Sequence, residues 1–202
     1  MRVRTLVAAV LVSLAGALPA PATAQLTLAF RIGYGIGRGD VRSGAALADF
    51  VDATVPVTID GLWRFGALSA GAYVSYADDY SAPVLKARCT SISSGSSCSS
   101  AGTRAGLEAQ WAFSDGFLRP WAGASLGWEW LLLDLGGGKG SFSGPEGTVQ
   151  LGLDLSATSS IGVGPYVSAS AGRYVDATGM AIPGANAWHA WYVFGLRGRF
   201  DL

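Results

Sequence analysis

The sequence predicts an all-β protein, an eight-stranded antiparallel up-and-down transmembrane β-barrel, and three observations carry that prediction. Apolar residues recur at every second position over eight separate stretches, the period of a strand and not of a helix. The connections between the stretches are alternately short and long, as in barrels with tight turns at one end and loops at the other. Within the stretches, every charged residue falls on the parity opposite to the apolar set.

Residues 1–24 stand apart from the fold. Arg2 and Arg4 open an apolar run from Leu6 to Leu18, and Ala22-Thr23-Ala24 closes it with the small-residue pattern of a cleavage site. The run is too short to cross about 30 Å of hydrocarbon, so a secretory signal peptide is expected, with residues 25–202 as the barrel domain. Gln25, not Cys, follows the cut, which excludes a lipoprotein. Without Arg2 and Arg4 the chain holds 12 basic and 14 acidic residues, a balance with no attraction for nucleic acid. Two cysteines remain, Cys89 and Cys98, in the serine-rich "CTSISSGSSC". In an exported chain they are expected to form a disulfide, worth on the order of 3 kcal/mol through the unfolded state.

The first stretch, Leu26 to Gly37, sets Leu26, Leu28, Phe30, Ile32, Tyr34 and Ile36 on one side. The second, Ala53 to Phe65, aligns Val55, Val57, Ile59, Trp63 and Phe65, and the third, Leu68 to Tyr76, aligns Leu68, Ala70, Ala72, Val74 and Tyr76. Thr103 to Phe113 follows with Leu107, Trp111 and Phe113, then Pro120 to Leu132 with Leu126, Trp128 and Trp130. The sixth, Thr148 to Ser156, carries Val149, Leu151, Leu153 and Leu155; the seventh, Ile161 to Gly172, carries Ile161, Val163 and Val167. "WHAWYVFGLRGRFDL" closes the chain with Trp188, Ala190, Tyr192, Phe194, Leu196 and Phe200 in phase. Long loops are expected at 38–52, 77–102, 133–147 and 173–187, on the side away from the N-terminus.

Alternation alone fits a soluble barrel as well, and side-chain volume chooses between the two. An eight-stranded barrel has an interior just wide enough for its own side chains, and the rings of the apolar set cannot all enter it. The opposite set is rich in glycine, including Gly33, Gly35, Gly71, Gly106, Gly127, Gly152, Gly164 and Gly195, which suits the crowded concave side. That set also holds Arg31, Asp60, Arg64, Arg104, Glu108, Glu129, Asp154, Arg197 and Arg199. A basic residue facing mid-bilayer lipid costs about 2–4 kcal/mol, so the charges belong in the lumen and the rings against lipid. Trp63, Trp111 and Phe200 near the short turns, and Trp128, Trp130 and Trp188 near the long loops, are expected to form two aromatic girdles.

A cleaved signal, eight amphipathic strands and a terminal aromatic resemble the small outer-membrane barrels of the OmpA/OmpX type in Gram-negative bacteria. Their C-terminal assembly signal is matched by Gly195, Leu196 and Phe200, with Gly198 and the trailing Asp201-Leu202 as departures. "PVTIDGLWRF", "RPWAGASLGWEW" and "GLRGRFDL" are also similar to stretches in a group of uncharacterised outer-membrane barrels with loop cysteines. The resemblance implies outer-membrane residence and lipid contact, and insertion by the barrel assembly machinery acting on the last strand.

Motifs for chemistry are sparse. "GGGKGSFSG" departs from a phosphate loop because Gly140 stands where Ser or Thr binds magnesium, and it reads as a flexible loop. Arg38-Gly39-Asp40 is a cell-attachment tripeptide in an expected outer loop, a pattern chance supplies easily. The single histidine, His189, has lumen parity near the outer end of the last strand; Ser168, Ser170, Asp78, Asp79 and Asp176 are candidates to sit near it in a lipid-modifying enzyme. No catalytic, cofactor or metal set is expected. Near balance of the lumen charges favours a paired, space-filling core over a narrow ion pathway. The expected function is therefore structural or surface interaction, with an extracellular ligand at the loops. A narrow channel and a lipid-modifying enzyme are the alternatives, and no peptidoglycan-binding domain is expected after the barrel.

Overall fold

The computed structural model describes residues 25–42, 44–83, 87, 98–134, 138–179 and 186–202. The expected signal peptide and Cys89 lie outside the described residues, and so does the expected Cys89–Cys98 bond, although Cys98 itself immediately precedes a strand. Ten strands follow in order: β1 (Gln25–Arg42), β2 (Ala45–Ala46), β3 (Val51–Phe65), β4 (Leu68–Ser81), β5 (Ser99–Ala112), β6 (Leu118–Asp134), β7 (Lys139–Ser156), β8 (Ile161–Tyr174), β9 (Asp176–Gly179) and β10 (Ala187–Asp201). Eight of them, β1, β3 to β8 and β10, each run antiparallel to the next. The last returns to the first along an unbroken register from Thr27 opposite Asp201 to Gly39 opposite His189. The sheet therefore closes on itself, and closure leaves no unpaired barrel edge.

Tight turns gather at one end. Gly66 and Ala67 join Phe65 to Leu68, with Gly66 at φ 64°, the left-handed first position that a two-residue hairpin asks of glycine. Residues 113–117 and 157–160 make the other two turns, held by Phe113 N–H donating to the Pro120 carbonyl at 2.9 Å and Ala157 N–H donating to that of Ile161 at 2.9 Å. The first and last barrel strands meet here as well, where Leu202 N–H donates to the Leu26 carbonyl at 2.8 Å.

At the opposite end the strands outrun the sequence expectation. β1 continues to Arg42, β4 to Ser81 and β6 to Asp134, while β5 begins at Ser99 and β7 at Lys139. Asp134 pairs directly with Lys139, so most of the loop expected at 133–147 is a ladder. Hydropathy alternation fades once side chains leave the apolar belt, but the backbone N–H and C=O groups still require partners, and the ladder supplies them. Two motifs change place in consequence. Lys139 to Gly144 of the glycine-rich segment lie in β7, and Arg38-Gly39-Asp40 lie in β1, opposite Ala190, His189 and Ala46.

Candidate functional site

Outside and inside are built from opposite parities. Leu126 is 76% exposed and Phe194 64%, whereas Arg31 is 5% exposed and Glu129 fully enclosed. Trp111, Trp128, Trp130, Trp188 and Phe200 are exposed and Trp63 half-exposed; Trp63, Trp111 and Phe200 lie toward the turns and the others toward the far end. Across the middle of the belt no Asp, Glu, Lys or Arg among the described residues points outward; Arg38, opposite Ala190, faces outward beside the far group. Such a continuous apolar belt is stable only against hydrocarbon. A hollow of about 520 Å³ in it is walled by Tyr34, Tyr192 and Phe194 over Val149, Val167 and Ala169.

The interior is a stack of three charged tiers under an apolar cap. In the tier nearest the turns, Asp201 accepts from Thr27 Oγ1 at 2.7 Å, pairs with Arg199, and lies 3.6 Å from Arg64 and 3.7 Å from Arg119. Asp154 takes Arg197 at 3.1 Å, Arg199 at 3.3 Å and the Trp121 indole N–H at 3.2 Å. Arg197 also lies over the Trp121 ring at 4.3 Å and donates to Gln110 Oε1 at 2.6 Å. In the middle tier Arg31 donates to Asp60 at 2.5 Å, to Glu108 at 2.7 Å and to Gln150. In the outer tier Arg104 donates to Glu129 Oε1 at 2.9 Å and lies 3.3 Å from Glu146 Oε1. His189 Nε2 is 2.6 Å from Glu129 Oε2, and the imidazole stacks on Tyr174 with ring centres 4.0 Å apart.

Above the outer tier, Val41, Leu47, Val51, Leu131, Leu133, Phe142, Tyr174 and Trp191 form a buried apolar cluster. Leu47 reaches it from a 3₁₀ turn at Leu47–Asp49, the segment between β1 and β3 that folds inward over the mouth. Glycine makes the room these large side chains need. A Cβ on Gly152 would stand 2.5 Å from the Trp121 ring, and one on Gly172 would stand 2.7 Å from His189 Nε2.

No protein-family model and no curated protein matches the chain in sequence. Solved structures match it in shape. Neisserial surface protein A superposes with a TM-score of 0.55 at 14% identity, covering 86% of this chain and 95% of that one. The N-terminal β-barrel domain of Pseudomonas aeruginosa OprF gives 0.48 at 14% identity, over 89% and 100% of the two chains. The fold is that of the small outer-membrane barrels. At these identities the likeness is one of fold.

In this outer-membrane barrel fold, the nine charged residues singled out from the sequence all project inward, and they fall into separate tiers. Sequence reading missed Arg119 and Glu146, which lay just outside the expected strand limits, and Asp201, which had stood only as a departure from the assembly signal. Asp201 is the acceptor that draws Arg64, Arg119 and Arg199 together. Also missed were the inward rings of Trp121, Tyr73, Tyr166, Tyr174 and Trp191, each on the parity opposite its strand's apolar set, which was the available signal. His189 is 3% exposed beneath the cap, two ladder rows from Ser170, and its ring faces carboxylates with no serine hydroxyl paired to it. Glu129, Glu146 and His189 gather the ligand-type atoms of this tier within 4.8 Å of one another.

Proposed function

We propose that the protein is an integral outer-membrane barrel with a closed lumen, serving a structural or surface-interaction role through its outer end. One observation carries this reading: from the Asp201 tier to the Leu47 cap, the interior is occupied by paired charges and buried rings. An interior cavity near the turns measures about 10 Å³, room for a single water among Thr27, Gln110, Trp121, Asp154 and Arg197. A core of this kind supports the barrel from within in the way an apolar core supports a soluble domain, because its buried arginines lie against carboxylates. Residues 1–24 act as a signal that is removed on export, and Cys89 and Cys98 brace the outer connection between β4 and β5 in the oxidising space beyond the cytoplasm. The apolar belt takes outer-membrane lipid, the closing strand β10 is the element the assembly machinery handles, and an extracellular ligand meets the outer connections.

The enzyme reading lacks support from this geometry, since His189 has no route to a lipid substrate beneath the cap. Separation of inner and outer membranes, followed by electrophoresis with and without boiling, tests residence and closure together. The chain is expected in the outer-membrane fraction, with a mobility that shifts on boiling. Recovery in the soluble periplasm without a shift would overturn the proposal.

A further inference from the structure

The outer tier presents its carboxylates in an ordered way. Arg104 engages the Oε1 atoms of Glu129 and Glu146, and the Trp191 indole N–H donates to the same Glu129 Oε1 at 3.0 Å. The opposite oxygens turn to one imidazole: Glu129 Oε2 is 2.6 Å and Glu146 Oε2 3.9 Å from His189 Nε2. Register explains the convergence, because Glu146 and His189 both lie opposite Gly172, whose missing side chain makes room for the His189 ring beside Glu146. Neighbouring ligands of a four-coordinate ion with bonds of about 2.0–2.1 Å stand about 3.3 Å apart, a value the two distances bracket.

Two further observations point to a cation as the ligand of this cluster. Glu146 is 4% exposed, yet its Oε2 has no hydrogen-bond partner, and buried carboxylate oxygens seldom go without one. Charge is also unbalanced locally. Arg104 faces Glu129, Glu146 and, farther out on the inward side of β4, Asp79, whose Oδ2 is likewise buried without a partner. Acidic side chains therefore outnumber the single guanidinium in this tier, an excess that a cation held between them would offset.

We propose that Glu129, Glu146 and His189 bind a divalent transition-metal cation of the zinc class in the outer tier of the lumen. One imidazole nitrogen and two carboxylate oxygens are a donor set zinc accepts, with the fourth position left to water. Arg104 and Trp191 hold the carboxylates by their far oxygens, which fixes the near ones toward the ion. The cap of Leu47 and its neighbours lies over the site, so the ion enters as the barrel closes and is retained until it opens.

The test refolds the untagged mature chain in detergent with excess Zn²⁺, removes free and loosely held metal with EDTA on a desalting column, and measures zinc by mass spectrometry. About one zinc per folded chain is expected, falling below a tenth in Glu146→Gln and His189→Ala that still shift on boiling. Retention below a tenth by the unaltered chain, or equal retention by folded Glu146→Gln, would overturn the assignment. Co²⁺ loaded in place of zinc covers the case in which neither variant folds. The unaltered chain is then expected to show the visible absorption of a four-coordinate site, and its absence counts equally against the proposal. Outer-membrane residence and the boiling shift are read separately, so failure here leaves the closed-barrel reading standing.

Discussion

Replacing Arg31 by methionine asks whether the lumen is a core or a water-filled bore. Arg31 is 5% exposed and holds Asp60 at 2.5 Å, Glu108 at 2.7 Å and Gln150. At an effective dielectric near 20, charges about 4 Å apart attract by about 4 kcal/mol, and desolvation of the three ions offsets most of what the two pairs gain. Methionine matches the stem but strands both acids, and breaking a buried pair in this way costs about 3–5 kcal/mol. Urea unfolding of the barrel in phospholipid vesicles, followed by tryptophan fluorescence, reads that loss. Adding Asp60→Asn and Glu108→Gln removes the stranded charges and is expected to restore most of the stability. A loss below about 1 kcal/mol for Arg31→Met, the size of an exposed pair, would refute the reasoning, since it would place both acids in bulk water.

Gly152→Ala, whose Cβ meets the Trp121 ring at 2.5 Å, is expected to lose about 1–3 kcal/mol in the same assay, while Gly61→Ala, with open space around it, stays within about 0.5 kcal/mol. Leu126→Arg, halfway along β6 on the outward face, is expected to cost about 2–4 kcal/mol in vesicles. Leu47→Ala removes a fully buried side chain from the cap and is expected to cost about 2–5 kcal/mol without opening a conducting path, because the charged tiers beneath it remain.

The strands and their facing were legible because period two and charge parity are local properties of the chain. Strand ends were not, since residues such as Ser99 to Gly102 and Lys139 to Gly144 keep the ladder while losing the regular apolar alternation. That shift of a few residues hid Arg119 and Glu146. Trp121 and Trp191 went unnoticed for a different reason. Most rings face outward for lack of interior volume, but glycine opposite a ring, as at Gly152, creates that volume one position at a time. The outer-tier cluster was beyond any spacing rule: Glu129, Glu146 and His189 are 17 and 43 positions apart, and only the register of β6, β7, β8 and β10 brings them together.

Planar-bilayer recording of the refolded mature chain tests closure of the lumen most directly. With three paired tiers and an apolar cap across the bore, conductance is expected to stay at that of the bare membrane over the voltage range the bilayer tolerates. Discrete, reproducible steps of current would contradict a closed core and make the same charged residues the lining of a channel.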